Sequence, residues 1–262
     1  MTAAAFRVER AGHVAELVLD RAERRNPLDY VAVLELLDHL DACNRDPSVG
    51  AVLLRGEGSG FCSGGDLREF EDARSSSAQT FHDGGAGWAR LMTTIPALRV
   101  PVICAAHGYA LAGGCGIVAA SDIALAAATT TFGVSEVRIG LFPIIVLPAL
   151  ARAVGARRAR ELALSGRRID ADEALRIGLV HRVLPDESFL AHARAVAADV
   201  ASLGPEALRL GKELLRNIAD VPFEPATFLA QAMRGAFMAT DDFAEGVRSF
   251  HEKRKPSFRP AP

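Results

Sequence analysis

The 262 residues hold only four cysteines, Cys43, Cys62, Cys104 and Cys115, and none of these stands in a CxxC or zinc-type spacing. Three of them sit in apolar or glycine-rich surroundings, which predicts buried, reduced thiols and a cytosolic compartment. An excess of charge of one sign is also missing: 30 Lys and Arg stand against 32 Asp and Glu, a net charge of −2. That balance excludes a global pull toward nucleic acid or an anionic membrane. Long apolar runs are absent too. The longest, Phe142 to Ala151, is short and is broken by Pro143 and Pro148, so it cannot span a bilayer. Met1 to Asp20 lacks the charged-then-apolar pattern of a signal peptide, in keeping with a cytoplasmic protein. No internal repeat, P-loop or metal-ligand spacing is found, and no cofactor is expected.

What remains is an ordinary globular composition, half hydrophobic and about a quarter charged, long enough for one or two domains with a substantial core. Phe6 to Leu19 alternates apolar and polar residues around Ala11-Gly12, which predicts a hairpin. Asn26 followed by Pro27 predicts the start of a helix running to about Cys43, with Val33, Leu36, Leu37 and Leu40 as its buried stripe. Ala51–Arg55 reads as a strand. Arg68 to Gly87, rich in Ser, Asp and Gly, reads as a mobile loop segment. After Asp170, where Glu173 completes a capping-box-like start, the chain turns increasingly helical. Ser188–Leu203, Pro205–Ile218, Pro225–Ala239 and Asp241–Lys253 are predicted helices. The third carries Phe228, Leu229, Ala232 and Phe237, more apolar surface than a thin C-terminal layer needs.

The chain is organised around Pro101 to Glu136. Val102 to Ala106 reads as a buried strand, Gly108 to Ala112 as a turn, and Gly113-Gly114 as the start of a small-residue helix. A strand, a glycine turn and a helix N-terminus together suit the stabilisation of negative charge. Alone, the same pattern can serve only to pack a helix tightly on a sheet.

Two further motifs flank it. Phe61-Cys62-Ser63-Gly64-Gly65-Asp66-Leu67 lies upstream, and Phe132-Gly133 followed by Glu136 lies downstream. In this order, with Tyr109 to Gly114 between them, the motifs resemble the enoyl-CoA hydratase/isomerase (crotonase) family over nearly the whole chain. The resemblance implies an α/β fold, a crotonase-like spiral of repeated β-β-α units carrying an acyl-CoA site over residues 1–200. It implies a C-terminal helical oligomerisation region over 201–262, building a homotrimer or hexamer. It also implies an enolate formed from a CoA thioester. By resemblance, the backbone N–H groups of Gly65 and Gly113 would meet the developing oxyanion, and Glu136 would move the proton. Apolar neighbours such as Phe142, Ile144 and Ile145 would raise the carboxyl pKa toward neutrality.

Substrate contacts are expected from Arg24, Arg25, Asp66, Leu67 and Arg68, and from Lys253 or Lys255 with Phe258 in the basic tail. Asp66 is as well suited to ordering its own loop, His107 reads as a core histidine, and His82 is a weaker pocket candidate. The sequence departs from the hydratase pattern at Gly116, where hydratases of the family carry a second glutamate. A bulky run, Ile144 to Leu147, also replaces a glycine-rich one. Both departures favour double-bond isomerisation by a single glutamate over hydration. Another CoA-thioester reaction, such as hydrolysis or C–C cleavage, or a catalytically decayed acyl-CoA-binding oligomer, is the alternative.

Overall fold

The computed structural model describes residues 4–73 and 78–259, with side chains for all of these except residues 70, 72, 73 and 78–83. The predicted hairpin forms as β1 (Phe6–Ala11) and β2 (Val14–Leu19), paired antiparallel. A short strand β3 (Pro27–Leu28) precedes α1 (Tyr30–Arg45). The helix starts three residues later than expected, because Asp29, not Asn26, is its cap: the Asp29 carboxylate accepts from Ala32 N at 2.8 Å. Asn26 has a different task. Its backbone is left-handed (φ 51°), and its buried amide donates to the carbonyls of Glu57 and Gly60, each at 2.9 Å. It thereby ties the turn before β3 to the loop that leads to Phe61.

Next come β4 (Ala51–Gly56), β5 (Gly64–Gly65), α2 (Leu67–Ala73) and α3 (Ala78–Ala97). The expected loop over Arg68–Gly87 is therefore corrected to helix wherever it is described, residues 74–77 lying outside the described residues, as does the side chain of His82. The stripe Trp88, Leu91, Met92 and Ile95, spaced i, i+3, i+4, i+7, buries α3 against the core. The central stretch supplies β6 (Val102–Ala106), β7 (Tyr109–Leu111) and α4 (Gly113–Ala120). After it come β8 (Ile123–Ala127), β9 (Thr131–Gly133) and a 3₁₀ turn at Glu136–Ile139.

From β2 onward each long strand is followed by a short one and then by helix, a spiral of β-β-α units. The long strands join one sheet in the order β1-β2-β4-β6-β8, parallel from β2 onward. The short strands form a second layer, with β3 on β5 and β7 on β9. Both faces of the parallel part of the large sheet are buried, so β6 and β8 read as unbroken apolar runs, whereas the edge strand β1 alternates. On one face Val52, Leu54, Val102 and Cys104 meet the helices of the spiral. On the other, Leu53, Ile103 and Leu125 meet Phe189, Ala193 and Ala197 of a later helix.

The spiral ends with α5 (Leu147–Val154), α6 (Ala156–Ser165), β10 (Ile169–Asp170), α7 (Ala171–Ile177), β11 (Arg182–Leu184) and α8 (Phe189–Ala201). Asp170 caps α7 by accepting from Glu173 N at 2.7 Å, as the sequence predicts. Three further helices follow, α9 (Pro205–Ile218), α10 (Phe223–Met238) and α11 (Asp241–His251). Lys212 of α9 fastens this region to the spiral. Its ammonium pairs with Asp122 and donates to the carbonyl of Val100 at 3.0 Å. None of the residues of α10 is buried, and Phe223 and Phe228 stand 88 % and 62 % exposed.

Candidate active site

Two motifs far apart in sequence are zipped together by backbone hydrogen bonds. Phe61 N and Cys62 N donate to the carbonyl of Tyr109, and Leu111 N donates back to the carbonyl of Cys62 at 2.9 Å. The zip presses the glycine pair of β5 against the turn that begins α4. Gly64 has φ +99°, and a Cβ there would lie 2.7 Å from the Cβ of Ala112 and 3.1 Å from Gly113 N. Only glycine fits so close an approach at that dihedral angle. Ala112 itself holds φ 48° as the N-cap of α4, anchored by its N–H to the carbonyl of Gly133 at 2.8 Å. Such a conformation costs an alanine about 1–3 kcal/mol and persists only where the surroundings impose it.

Gly65 and Gly113 thereby reach one cavity of about 450 Å³. As the first residue of α4, Gly113 has an N–H with no intrahelical acceptor, at the positive end of the helix dipole. A Cβ on Gly113 would strike the indole of Trp88, with Cζ3 at 2.6 Å, so backbone rather than side chain faces the cavity there. Glu136 lines the same cavity, carried at the start of the 3₁₀ turn beyond β9. The rest of the described lining is apolar, including Leu141, Phe142, Ile144, Ile145 and Val146. Among the described residues that line it, Glu136 is the one ionisable group.

That carboxyl group is poorly solvated. Its Oε2 is buried with no hydrogen-bond partner, and burial raises its pKa above the ordinary carboxylate range. The nearby thiol of Cys115 is pushed up to about 12 by burial and then by the charge of Glu136, so it is neutral at physiological pH. Cys62 is likewise pushed up to about 12 by burial. Neither thiol is poised as a thiolate nucleophile.

The remaining candidates divide by location. Asp66 is buried and engaged by two neighbours: it pairs with Arg24 and accepts from Arg68 N at 3.1 Å. The guanidinium of Arg25 lies 4.4 Å over the ring of Tyr109. Leu67 and Arg68 are exposed at the start of α2. Lys253 and Lys255 are exposed beyond α11, and Phe258 packs in a separate cleft with Phe237, Phe243 and Phe250. The structure brings none of these last three to the cavity of Glu136 within one chain. His107, expected in the core, is instead half-buried: its Nε2 lies 2.8 Å from the carbonyl of Gly58, and its ring is tilted 44° to that of Phe189 at 6.4 Å. Among the described residues, no group of three or more His, Cys, Asp or Glu is placed to hold a metal ion. No described helix is long and apolar enough to cross a membrane. Trp88 and Met92 escaped sequence reasoning, whereas Val146 lies in the bulky run it singled out. The stripe spacing of α3 carried the signal for the first two.

A β-β-α spiral whose third unit delivers a helix N-terminus beside a buried carboxyl group is the arrangement that the resemblance to the crotonase class of enzymes implies. The family model described as Enoyl-CoA hydratase/isomerase matches residues 9–260, and the chain belongs to that family. It is 35 % identical over 255 residues to the mevalonyl-coenzyme A hydratase sidH of Aspergillus fumigatus, covering 95 % of this chain and 92 % of that one. It is 33 % identical over 253 residues to a crotonyl-CoA hydratase of Syntrophomonas wolfei, covering 96 % of each. The crystal structure of an enoyl-CoA hydratase from Bacillus anthracis superposes with a TM-score of 0.90 at 31 % identity. That match covers 97 % of this chain and 98 % of the other.

Proposed function

We propose that this enzyme shifts the double bond of an enoyl-CoA thioester, with Glu136 as its single acid and base. The observation that carries this reading is the packing at Gly116. Hydratases of the family are expected to hold a second carboxylate there, and here the space beside Gly116 is filled by Val146 and Met92. One carboxylate suffices for a 1,3-proton shift. Glu136 takes a proton from C2 of a 3-enoyl thioester, and the electron pair moves into the carbonyl to give a dienolate. The N–H groups of Gly65 and Gly113 stabilise its oxyanion, each worth about 3–4 kcal/mol in the transition state. The protonated Glu136 then returns the proton to C4, leaving the conjugated 2-enoyl thioester. An apolar cavity keeps water from competing for the anion.

The names of the relatives favour a second reading, hydration of a 2-enoyl thioester, in which Glu136 alone activates water. Mass spectrometry separates the two. Incubation with 3-hexenoyl-CoA gives a product of unchanged mass that gains the ultraviolet absorbance of a conjugated 2-enoyl thioester under the first reading. Crotonyl-CoA gains the mass of one water under the second.

Arg24, Arg25 and Arg68 surround the β5–α2 corner and are suited to the phosphates of CoA. Binding of acetoacetyl-CoA should therefore weaken as salt is raised. The bare apolar face of α10 suits a homotrimer or hexamer, and in such an assembly the tail with Lys253, Lys255 and Phe258 can approach a neighbour's CoA. Light scattering at micromolar concentration tests this; a monomer contradicts it.

A further inference from the structure

Adjoining the cavity of Glu136 is a second one of about 550 Å³. Gly85, Trp88, Leu141, Ile144 and Ile145 line both, so the two spaces share a wall. Gly84 and Gly85 lie inside α3, where glycine costs roughly 0.5–1 kcal/mol relative to alanine. Neither has a positive φ that would require glycine. Open space is what they leave instead. Among the described residues beyond its own helix turn, a methyl group on Gly84 would find no atom within 4 Å, and one on Gly85 would meet Cδ1 of Ile145 at 3.4 Å.

The surroundings are those of a site that a ligand covers. Leu67, Ile139, Leu141 and Ile144, all lining the second cavity, are 56 %, 55 %, 47 % and 73 % exposed. Clustered apolar side chains left in water mark a binding surface. The charged side chains among the described residues that line this cavity are Glu69 and Glu71, both acids. Glu69 is fixed in place, its two oxygens accepting from Tyr30 N at 3.0 Å.

We propose that the second cavity receives the distal half of a long, uncharged acyl chain, passed along Gly84 and Gly85, and that Glu69 and Glu71 reject chains ending in a carboxylate. This rests on the family-level reading that the first cavity holds the thioester end. A terminal carboxylate entering the second cavity would lose its water to apolar walls and meet two acids of its own sign. A terminal methyl group would add apolar contact and lose nothing.

Calorimetry on the full chain with three saturated, unreactive probes tests the proposal: butyryl-CoA, decanoyl-CoA and the mono-CoA thioester of decanedioic acid. Decanoyl-CoA should bind at least about tenfold more tightly than either of the others, a difference that one like-charge contact or a few buried methylenes readily supplies. Gly84→Phe fills the open space and should bring decanoyl-CoA down to the affinity of butyryl-CoA, with Gly84→Ala as the silent control. Glu71→Lys, on an exposed helical position, should raise the affinity for the decanedioic thioester about tenfold or more. Equal binding of decanoyl-CoA and its carboxylate analogue by the wild-type chain overturns the charge filter. A decanoyl advantage that survives Gly84→Phe overturns the chain path. If butyryl-CoA also fails to bind, the thioester reading itself is wrong and the proposal falls with it. Butyryl-CoA binding without chain-length preference sinks the proposal alone.

Discussion

Val146 stands where a side chain on Gly116 would have to go. A Cβ at position 116 would lie 2.7 Å from the Cβ of Val146, closer still to its Cγ1, and 3.2 Å from Sδ of Met92. Both residues are buried, so neither can step aside into solvent. The absence of a second glutamate is thus coupled to a bulky residue that closes the same space. The site keeps one carboxyl group and surrounds it with hydrocarbon.

Glu136→Gln should lower turnover of the enzyme's enoyl-CoA substrate by about 100- to 10,000-fold, the usual worth of a general acid–base group. The amide can neither take nor return a proton, yet in the proposed mechanism Gly65 and Gly113 act through their backbone. Affinity for acetoacetyl-CoA should therefore stay within a few fold, measured by calorimetry beside the rate assay. An unchanged rate would move the base elsewhere.

The same substitution should stabilise the protein, and the effect should depend on pH. Burial raises the pKa of Glu136 in the folded state above its unfolded value. The folded chain therefore holds a proton that the unfolded chain releases. Stability from this group is fully present below the unfolded pKa and declines as pH rises through the folded one. Glutamine carries no such penalty. The melting temperature of Glu136→Gln should exceed that of the wild type at pH 8, and the gap should close toward pH 4. A gap that widens in acid would reverse the sign of the burial argument. The kcat/KM profile should likewise rise with an apparent pKa above the ordinary glutamate range.

Gly113→Ala should disable the site without unfolding the chain. The added methyl group meets the indole of Trp88, an overpacking that costs about 1–3 kcal/mol and shifts the start of α4. Losing one oxyanion donor lowers kcat by about 100- to 1,000-fold. Trimming the obstacle with Trp88→Leu should restore part of the rate. Rescue is the diagnostic result, because a methyl group that acted only on backbone flexibility would not respond to Trp88.

The sequence carried the site's backbone features in plain form, because close approach of main chains demands glycine and leaves a motif. Gly65, Gly113 and Glu136 come from three separate motifs and line one cavity. The helix α3 was hidden by Gly84, Gly85 and Gly87, residues with poor helix propensity whose packing is decided by cavities that no local pattern reveals. The cap of α1 was misplaced for a related reason. Asn26 has the chemistry of a cap, but its amide is taken by carbonyls more than thirty residues away. The tail residues Lys253, Lys255 and Phe258 could be chosen only by resemblance, since nothing local fixes what a basic tail touches.

Lys212 and Asp122 should be strongly coupled in stability. The lysine side chain is 9 % exposed and the aspartate 23 %, and their pairing joins α9 to the end of α4. Lys212→Met leaves the half-buried carboxylate of Asp122 with the N–H of Val102 but without its counter-charge, and Asp122→Asn leaves a buried ammonium without its own, each at a cost of up to about 3–5 kcal/mol. The double variant removes both charges and should lose clearly less than the two single losses added together. Urea unfolding of the four proteins measures this; additive losses would show the pair to be energetically independent.

The relation between Val146 and Gly116 gives the most discriminating engineering test. Gly116→Glu alone should not create a hydratase. Its carboxylate would be driven into Val146 and Met92, and the chain should lose stability, by about 1–3 kcal/mol or more, since a charge is buried along with the bulk. Val146→Ala alone opens space beside Glu136 but supplies no second base, so it should slow proton transfer only modestly. Together the two substitutions provide both the room and the carboxylate, and the pair should gain hydration of crotonyl-CoA that neither single variant shows. The gain should be non-additive, because the residues contact one another. Four proteins assayed for uptake of water by mass spectrometry decide the point. If the wild type already hydrates crotonyl-CoA as fast as the double variant, Val146 does not exclude the nucleophilic water. Glu136 would then have to activate it alone, and isomerisation would lose its claim to be the principal reaction.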